Sequence, residues 1–225
     1  MNKIIQSLLN EVIRVEISGK KLMNGTVIDL GSDMVVLYNG KDFVYIPLVH
    51  IQNIEGDLNN EGDINDPTVL PNIITEKNNV DLSFEKILTE AKGKYIEIYV
   101  TGGQSLHGSI ISIMNNYFVF HSPVYKTMYI ALNHLKWIIP YSTNERLYDL
   151  DDHDIRLQSN NVRVEKNFGD QVKKIKNEIV VLNIGGSKSY IGKVNNVEDQ
   201  IVEFQTARTH PVFLNLQHIK TLHLV

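Results

Sequence analysis

Three histidines recur in this sequence at one spacing. His50, His134 and His218 stand 84 residues apart, each at the end of an apolar run. Imidazole ligates divalent metal ions, and three rings within about 4 Å of one ion would make a site. Each histidine belongs to a different copy of a repeat, so that chemistry would need the copies to meet on a pseudo-threefold axis. A structural role is expected instead, with the ring nitrogens bonded to loop backbone. His107, His121, His153, His210 and His223 share no spacing and read as surface or loop residues.

Other chemistry is thinner. Gly102-Gly103-Gln104-Ser105 and Gly185-Gly186-Ser187-Lys188 look like phosphate loops. A phosphate cradle needs a glycine loop running into a helix N-terminus, followed by Lys-Ser/Thr. A strand pattern follows here, so a hairpin is expected. There is no Gly-x-Ser-x-Gly elbow and no cysteine, which excludes disulfides, thiolate metal sites and cysteine nucleophiles. No acid/base pair recurs. The expectation is a protein that is not an enzyme, with no cofactor and no metal.

The elements around the histidines explain the spacing. Tyr45, Tyr129 and Phe213 keep the step of 84, as do Ile46, Ile130 and Leu214. Upstream, Gly19, Gly102 and Gly185 mark a turn in each repeat, and Gly25, Gly108 and Gly192 are expected to open the strand that follows. An internal repeat of this kind sets the architecture. In the second repeat, Tyr95–Val100 alternates and meets Gly102-Gly103, whose lack of a Cβ allows a tight turn. Strands are expected over Ser109–Ile113, Tyr117–His121 and Lys126–Leu132, with a last short one after His134. An apolar stripe at helical spacing precedes each set: residues 3–13, 81–91 with a cap at Asp81 or Ser83, and 170–176. One leading helix and five short strands describe a small antiparallel barrel. The expected organisation is repeat 1 over 1–54, an acidic linker over 55–80, repeat 2 over 81–141, a second acidic linker over 142–169, and repeat 3 over 170–225.

Composition agrees with that division. The chain has 225 residues, 43% hydrophobic and 21% charged, with net charge −4. Residues 55–90 hold nine acidic and two basic side chains, so the acidity lies in a connector. Duplex binding needs a clustered basic stripe, which is absent. No apolar run approaches the roughly 18 residues of a membrane span. The N-terminal stretch is too polar for a secretory signal, so synthesis in the cytoplasm is expected.

The helix-plus-five-strand plan resembles the Sm-like barrel. The chain as a whole resembles the spore coat protein B family of Bacillus, through all three repeats in order. The residues concerned are the glycine turns, the lead Leu82-Ser83-Phe84-Glu85-Lys86-Ile87-Leu88, and the closing pieces His50–Ile54, His134–Ile138 and His218–Leu222. That family's long serine- and lysine-rich tail has no counterpart here, so nothing the tail does is carried over. The resemblance implies a mainly β protein of three tandem small Sm-like/SH3-like antiparallel barrels, each led by a short α-helix. It implies a structural component of the endospore coat, whose partners are other coat proteins and possible further copies of itself. In Sm-like assemblies closing strands pair between barrels. Tyr45, Ile46, Tyr129, Ile130, Phe213 and Leu214 are therefore the expected assembly positions. The alternatives are an Sm-like RNA-binding protein and a cytoplasmic protein-binding module. Sm-like base pockets use an Asp-hydrophobic-Asn set and a basic residue in the last hairpin. Asp29, Asp33 and Met34 provide no asparagine, and Ile46-Pro47, Ile130-Ala131 and Leu214-Asn215 provide no basic residue. Val124-Tyr125-Lys126 is similar to a bacterial RNA-chaperone variant but occurs once. Stacking of bases on Tyr117, Tyr125 or Tyr129 is the residual route to RNA, and no specific nucleic acid is expected.

Overall fold

A computed structural model describes residues 3–56, 64–65, 67–68, 82–142, 145–150, 164–186 and 189–225. Asp81, His153 and most of both expected linkers lie outside the described residues. The strands are β1 Val12–Ile17, β2 Lys21–Leu30, β3 Met34–Tyr38, β4 Phe43–Pro47, β5 Ile51–Gly56, β6 Tyr95–Tyr99, β7 Leu106–Ile113, β8 Tyr117–Ser122, β9 Lys126–Ala131, β10 Trp137–Pro140, β11 Ile179–Leu182, β12 Tyr190–Glu198, β13 Ile201–Thr206, β14 Val212–Asn215 and β15 Thr221–Leu224. The helices are α1 Lys3–Gln6, α2 Phe84–Ala91 and α3 Phe168–Lys174. The protein is mainly β, and the strand pairings given below are antiparallel.

Two compact units divide the chain: Met1–Ile98 with Lys136–Glu145, and Tyr99–Leu135 with Arg146–Val225. In the first, the hydrogen-bonded order is β6-β10-β4-β3-β2-β1-β5. In the second, it is β14-β13-β12-β11-β15-β9-β8-β7. Repeats 1 and 3 thus share one order, fourth-third-second-first-fifth. The mainly β class is seen, but this strand order does not show three closed barrels. Each unit is an open sheet, in which the fourth strand of one repeat is hydrogen-bonded to the fifth strand of the next.

Alternation builds the sheets. In β1, Ile13, Val15 and Ile17 are buried while the residues between them are partly exposed, the period of a half-buried strand. The second unit has a core in which Tyr117, Tyr129, Phe168, Val172, Phe204 and Leu222 pack together. The second strand of every repeat contains a bulge at the same place, between Val27 and Asp29, Ile110 and Ser112, and Val194 and Asn196. An extra residue there bends the strand and increases its local twist.

Two expectations fail locally. The helix expected over 3–13 covers only Lys3–Gln6, and Val12 and Ile13 belong to β1. Asn10 takes a left-handed φ of 65° and donates its N–H to the Val27 carbonyl, which turns the chain into the sheet. Gly25, Gly108 and Gly192 do not open their strands but lie within them. Their role is close approach. A Cβ on Gly25 would stand 2.9 Å from the Tyr38 carbonyl oxygen, and Cβ atoms on Gly108 and Gly192 would collide with the carbonyls of His121 and Gln205.

Helices α2 and α3 are placed by the repeat before them. Asp33 Oδ1 accepts the N–H of Phe84, the first residue of α2, at 2.9 Å. Asn116 Oδ1 accepts that of Phe168, the first residue of α3, at 2.7 Å. Ser83 adds the expected cap, accepting from the Lys86 N–H at 3.3 Å. Each contact satisfies one of the free donors at a helix start.

Candidate functional site

The expected assembly positions fall on the fourth strands. Tyr45 and Ile46 lie in β4, Tyr129 and Ile130 in β9, and Phe213 and Leu214 in β14. Their surroundings differ. Tyr45 is 0% exposed and Tyr129 2%, while Phe213 is 70% exposed. The neighbouring strand makes the difference. Tyr45 pairs with Ile138 of β10, and Tyr129 with Leu222 of β15. β14 pairs with β13 and is the last strand of its sheet among the described residues. At the far end of the first unit, β5 pairs with β1 and with no other strand among the described residues, leaving Ile54 half-buried where Ile138 and Leu222 are fully buried.

Three further contacts make up these joints. In the second unit Ala131 donates its N–H to the Lys220 carbonyl at 3.0 Å. The ring Nε2 of His134 meets the Gln217 carbonyl oxygen at 2.8 Å. Lys220 Nζ donates to Thr101 Oγ1 at 3.0 Å, beside the turn of Gly102, whose φ is +89°. In the first unit the equivalent lysine, Lys136, lies over the equivalent turn: a Cβ on Gly19, with φ +90°, would be 2.6 Å from Lys136 Nζ. Gly102 in turn packs so closely on Gly185 that a Cβ would strike its carbonyl oxygen. The glycine turns are therefore docking surfaces between repeats, and no helix follows them.

The signature histidines each end a 3-10 turn: Leu48–His50, Leu132–His134 and Leu216–His218. His50 is buried, with Nδ1 3.2 Å from Ser18 Oγ, while His134 and His218 are not buried. No group of three or more His, Asp or Glu residues disposed to hold a metal ion occurs among the described residues. Asp29 accepts its neighbour Leu30's N–H at 2.7 Å, and Asp33 is engaged at α2. Tyr117 and Tyr129 are buried, which removes them as stacking platforms. The Tyr117 hydroxyl donates to the Glu165 carbonyl at 2.6 Å, and its pKa is pushed up to about 12, mainly by burial. A cavity of about 270 Å³ in the second unit is lined by Thr101, Tyr190, Leu214, His218 and Lys220 among others. It holds no paired acid and base.

Sequence reasoning missed two histidines. His121 and His223, expected at the surface or in loops, are buried in β8 and β15. Burial lowers both pKa values, with Lys126 adding to the effect at His121. The signal was the apolar run itself: all of β8 is buried, and so are the first three residues of β15. His107 packs against the Tyr148 ring and His210 is exposed.

These features define a class: a tandem-repeat β protein whose repeats join edge to edge through fourth and fifth strands. The chain belongs to the YwrJ family. It is 36% identical over 228 residues to protein YwrJ of Bacillus subtilis (strain 168), covering 99% of both chains. The family model for the YwrJ third domain matches residues 167–222, which contain α3, β11–β14 and the first half of β15. The chain is also 24% identical over 151 residues to spore coat protein B of the same organism, covering 64% of this chain and 36% of that protein. The resemblance read from the sequence is thus a partial similarity, and the family shown is YwrJ. No helix among the described residues is long and apolar enough to cross a membrane.

Proposed function

We propose that this protein is a structural, non-enzymatic component of the bacterial endospore coat, and that its three repeats are degenerate Sm-like units serving protein–protein contacts. The similarity to spore coat protein B carries the reading. The shared strand order of repeats 1 and 3 supports the Sm-like part. Exposed sheet edges support the binding part, because unpaired N–H and C=O groups recruit another strand. Its partners in this reading are coat proteins, it reaches the coat from the mother-cell cytoplasm, and it needs no cofactor.

A fluorescent fusion followed through sporulation tests this. Signal gathered around the forespore and retained on purified spores is the expected result. Diffuse signal in vegetative cells, with none around the forespore, would remove the coat assignment.

A further inference from the structure

We propose that the β14 edge binds the β5 edge of a second copy of this chain, with Phe213 opposite Ile54, so that copies join head to tail. The inference rests on the reading that the sheet edges are assembly surfaces, and it names the partner.

The chain itself supplies the pattern. Wherever a fourth strand is followed by another repeat, the fifth strand of that repeat covers it, as β10 covers β4 and β15 covers β9. β14 and β5 are the two members of this set that lack such a neighbour among the described residues. They are complementary halves of one joint. The register follows from the repeat: Tyr45 faces Ile138, Tyr129 faces Leu222, and the next equivalent pair is Phe213 and Ile54. An exposed phenylalanine and a half-exposed isoleucine stand where the internal joints bury a tyrosine against an aliphatic side chain.

The backbone agrees. Ala131 donates to Lys220 O at the second joint. The equivalent donor on the free edge is Asn215, which has an N–H, and the equivalent acceptor is Gln52. His134 reaches the Gln217 carbonyl. Its equivalent, His218, would reach the carbonyl of Val49, an exposed residue in the turn before β5. Charge favours the same direction. Arg208 and His210 lie exposed just before β14, and Glu55 is exposed near the end of β5. Antiparallel pairing brings those two ends together. The interface joins two different surfaces, so it propagates into a ring or a filament rather than stopping at a dimer.

Sedimentation of the purified full chain over a range of concentrations reads this out, with two edge variants. Phe213→Asp disables the β14 edge and Ile54→Asp the β5 edge. Each keeps the other edge intact. The unmodified chain is expected to form a concentration-dependent series of multimers. Each variant alone is expected to associate at least about tenfold more weakly, as when a buried aromatic anchor is lost. Mixed one to one, the variants are expected to form dimers and nothing larger, because only one working joint can form. Thermal melts check that both variants fold. A disulfide test needs no background removal, since the chain has no cysteine. Leu214→Cys and Asn53→Cys chains are expected to cross-link when mixed and not when alone. A unmodified chain that stays monomeric, multimers that survive either variant, or cross-linking of one cysteine variant with itself would overturn the proposal. None of these results depends on where the protein sits in the spore.

Discussion

The joint in the first unit and the joint in the second use equivalent residues and differ in how tightly they are held. At β9·β15 three residue pairs are in register, Met128–His223, Tyr129–Leu222 and Ile130–Thr221. At β4·β10 one pair, Tyr45–Ile138, is in register. One substitution accounts for much of this. The position that donates a hydrogen bond in the second joint is Ala131, and its equivalent in the first is Pro47, which has no N–H. The backbones there are almost the same, φ −70°, ψ 125° at Ala131 and φ −62°, ψ 131° at Pro47. Proline fits that geometry without strain and simply removes the donor. Side-chain burial is conserved where the hydrogen bonding is not, so apolar contact between fourth and fifth strands is the invariant part of the joint.

The largest effects should come from that apolar contact. Leu222→Ala empties a fully buried position opposite Tyr129 and is expected to cost about 2–5 kcal/mol. Ile138→Ala should cost a similar amount in the first unit. Ile54→Ala, at the half-buried equivalent, should cost about 1 kcal/mol or less in monomeric protein. Denaturant melts at low concentration rank the three. Equal costs at all three positions would show that the joints do not bury what the geometry implies.

The next effect exchanges the joints' characters. Ala131→Pro removes the N–H donated to Lys220 O while keeping the backbone. The lost hydrogen bond is worth about 1–2 kcal/mol with its acceptor left unpaired, partly offset by a stiffer unfolded chain. A net loss of about 1 kcal/mol is expected, with faster amide exchange along β15. Pro47→Ala is the reverse change, and its expected effect on stability is near zero or slightly positive. A helix-start contact provides an internal scale: Asp33→Ala and Asn116→Ala should each cost about 1 kcal/mol, through α2 and α3 respectively.

Much of this was legible in the sequence. In the second repeat, the strands expected over Tyr95–Val100, Tyr117–His121 and Lys126–Leu132 lie within a residue of β6, β8 and β9, whereas β7 begins at Leu106, three residues before the expected Ser109. The glycine turns and the equivalence of Tyr45, Tyr129 and Phe213 came from the 84-residue step alone. The joints did not, since pairing between β9 and β15 spans some 90 residues and local periodicity carries no information about it. The stripe Ile4, Ile5, Leu8, Leu9, Val12, Ile13 fits a helix by spacing, yet Val12 and Ile13 also begin the alternation of β1, and the sheet wins. The different fates of Phe213 and Tyr129 depend on neighbours that only the fold reveals.

The smallest effect is one of pH, and it separates the two joints by chemistry. Met128 of β9 faces His223, whereas by the repeat Val44 of β4 corresponds to an apolar partner, Ile139. His223 and His121 are both buried in the second unit, and burial lowers both pKa values from the ordinary 6.5. In the unfolded chain these rings take up protons as pH falls through about 6.5. In the folded chain they stay neutral to lower pH. The unfolded state then binds more protons, so stability rises with pH and falls on acidification, with the loss levelling off below the folded pKa values. Acid should therefore loosen the second unit ahead of the first. Hydrogen exchange at pH 7.5 and 5.5 is expected to show faster opening of β9 and β15 at the lower pH, with β4 and β10 changing less. His223→Ile, which borrows the residue of the first joint, should flatten the response in part and leave the share due to His121. An acid response unchanged by His223→Ile would assign the whole effect to other groups.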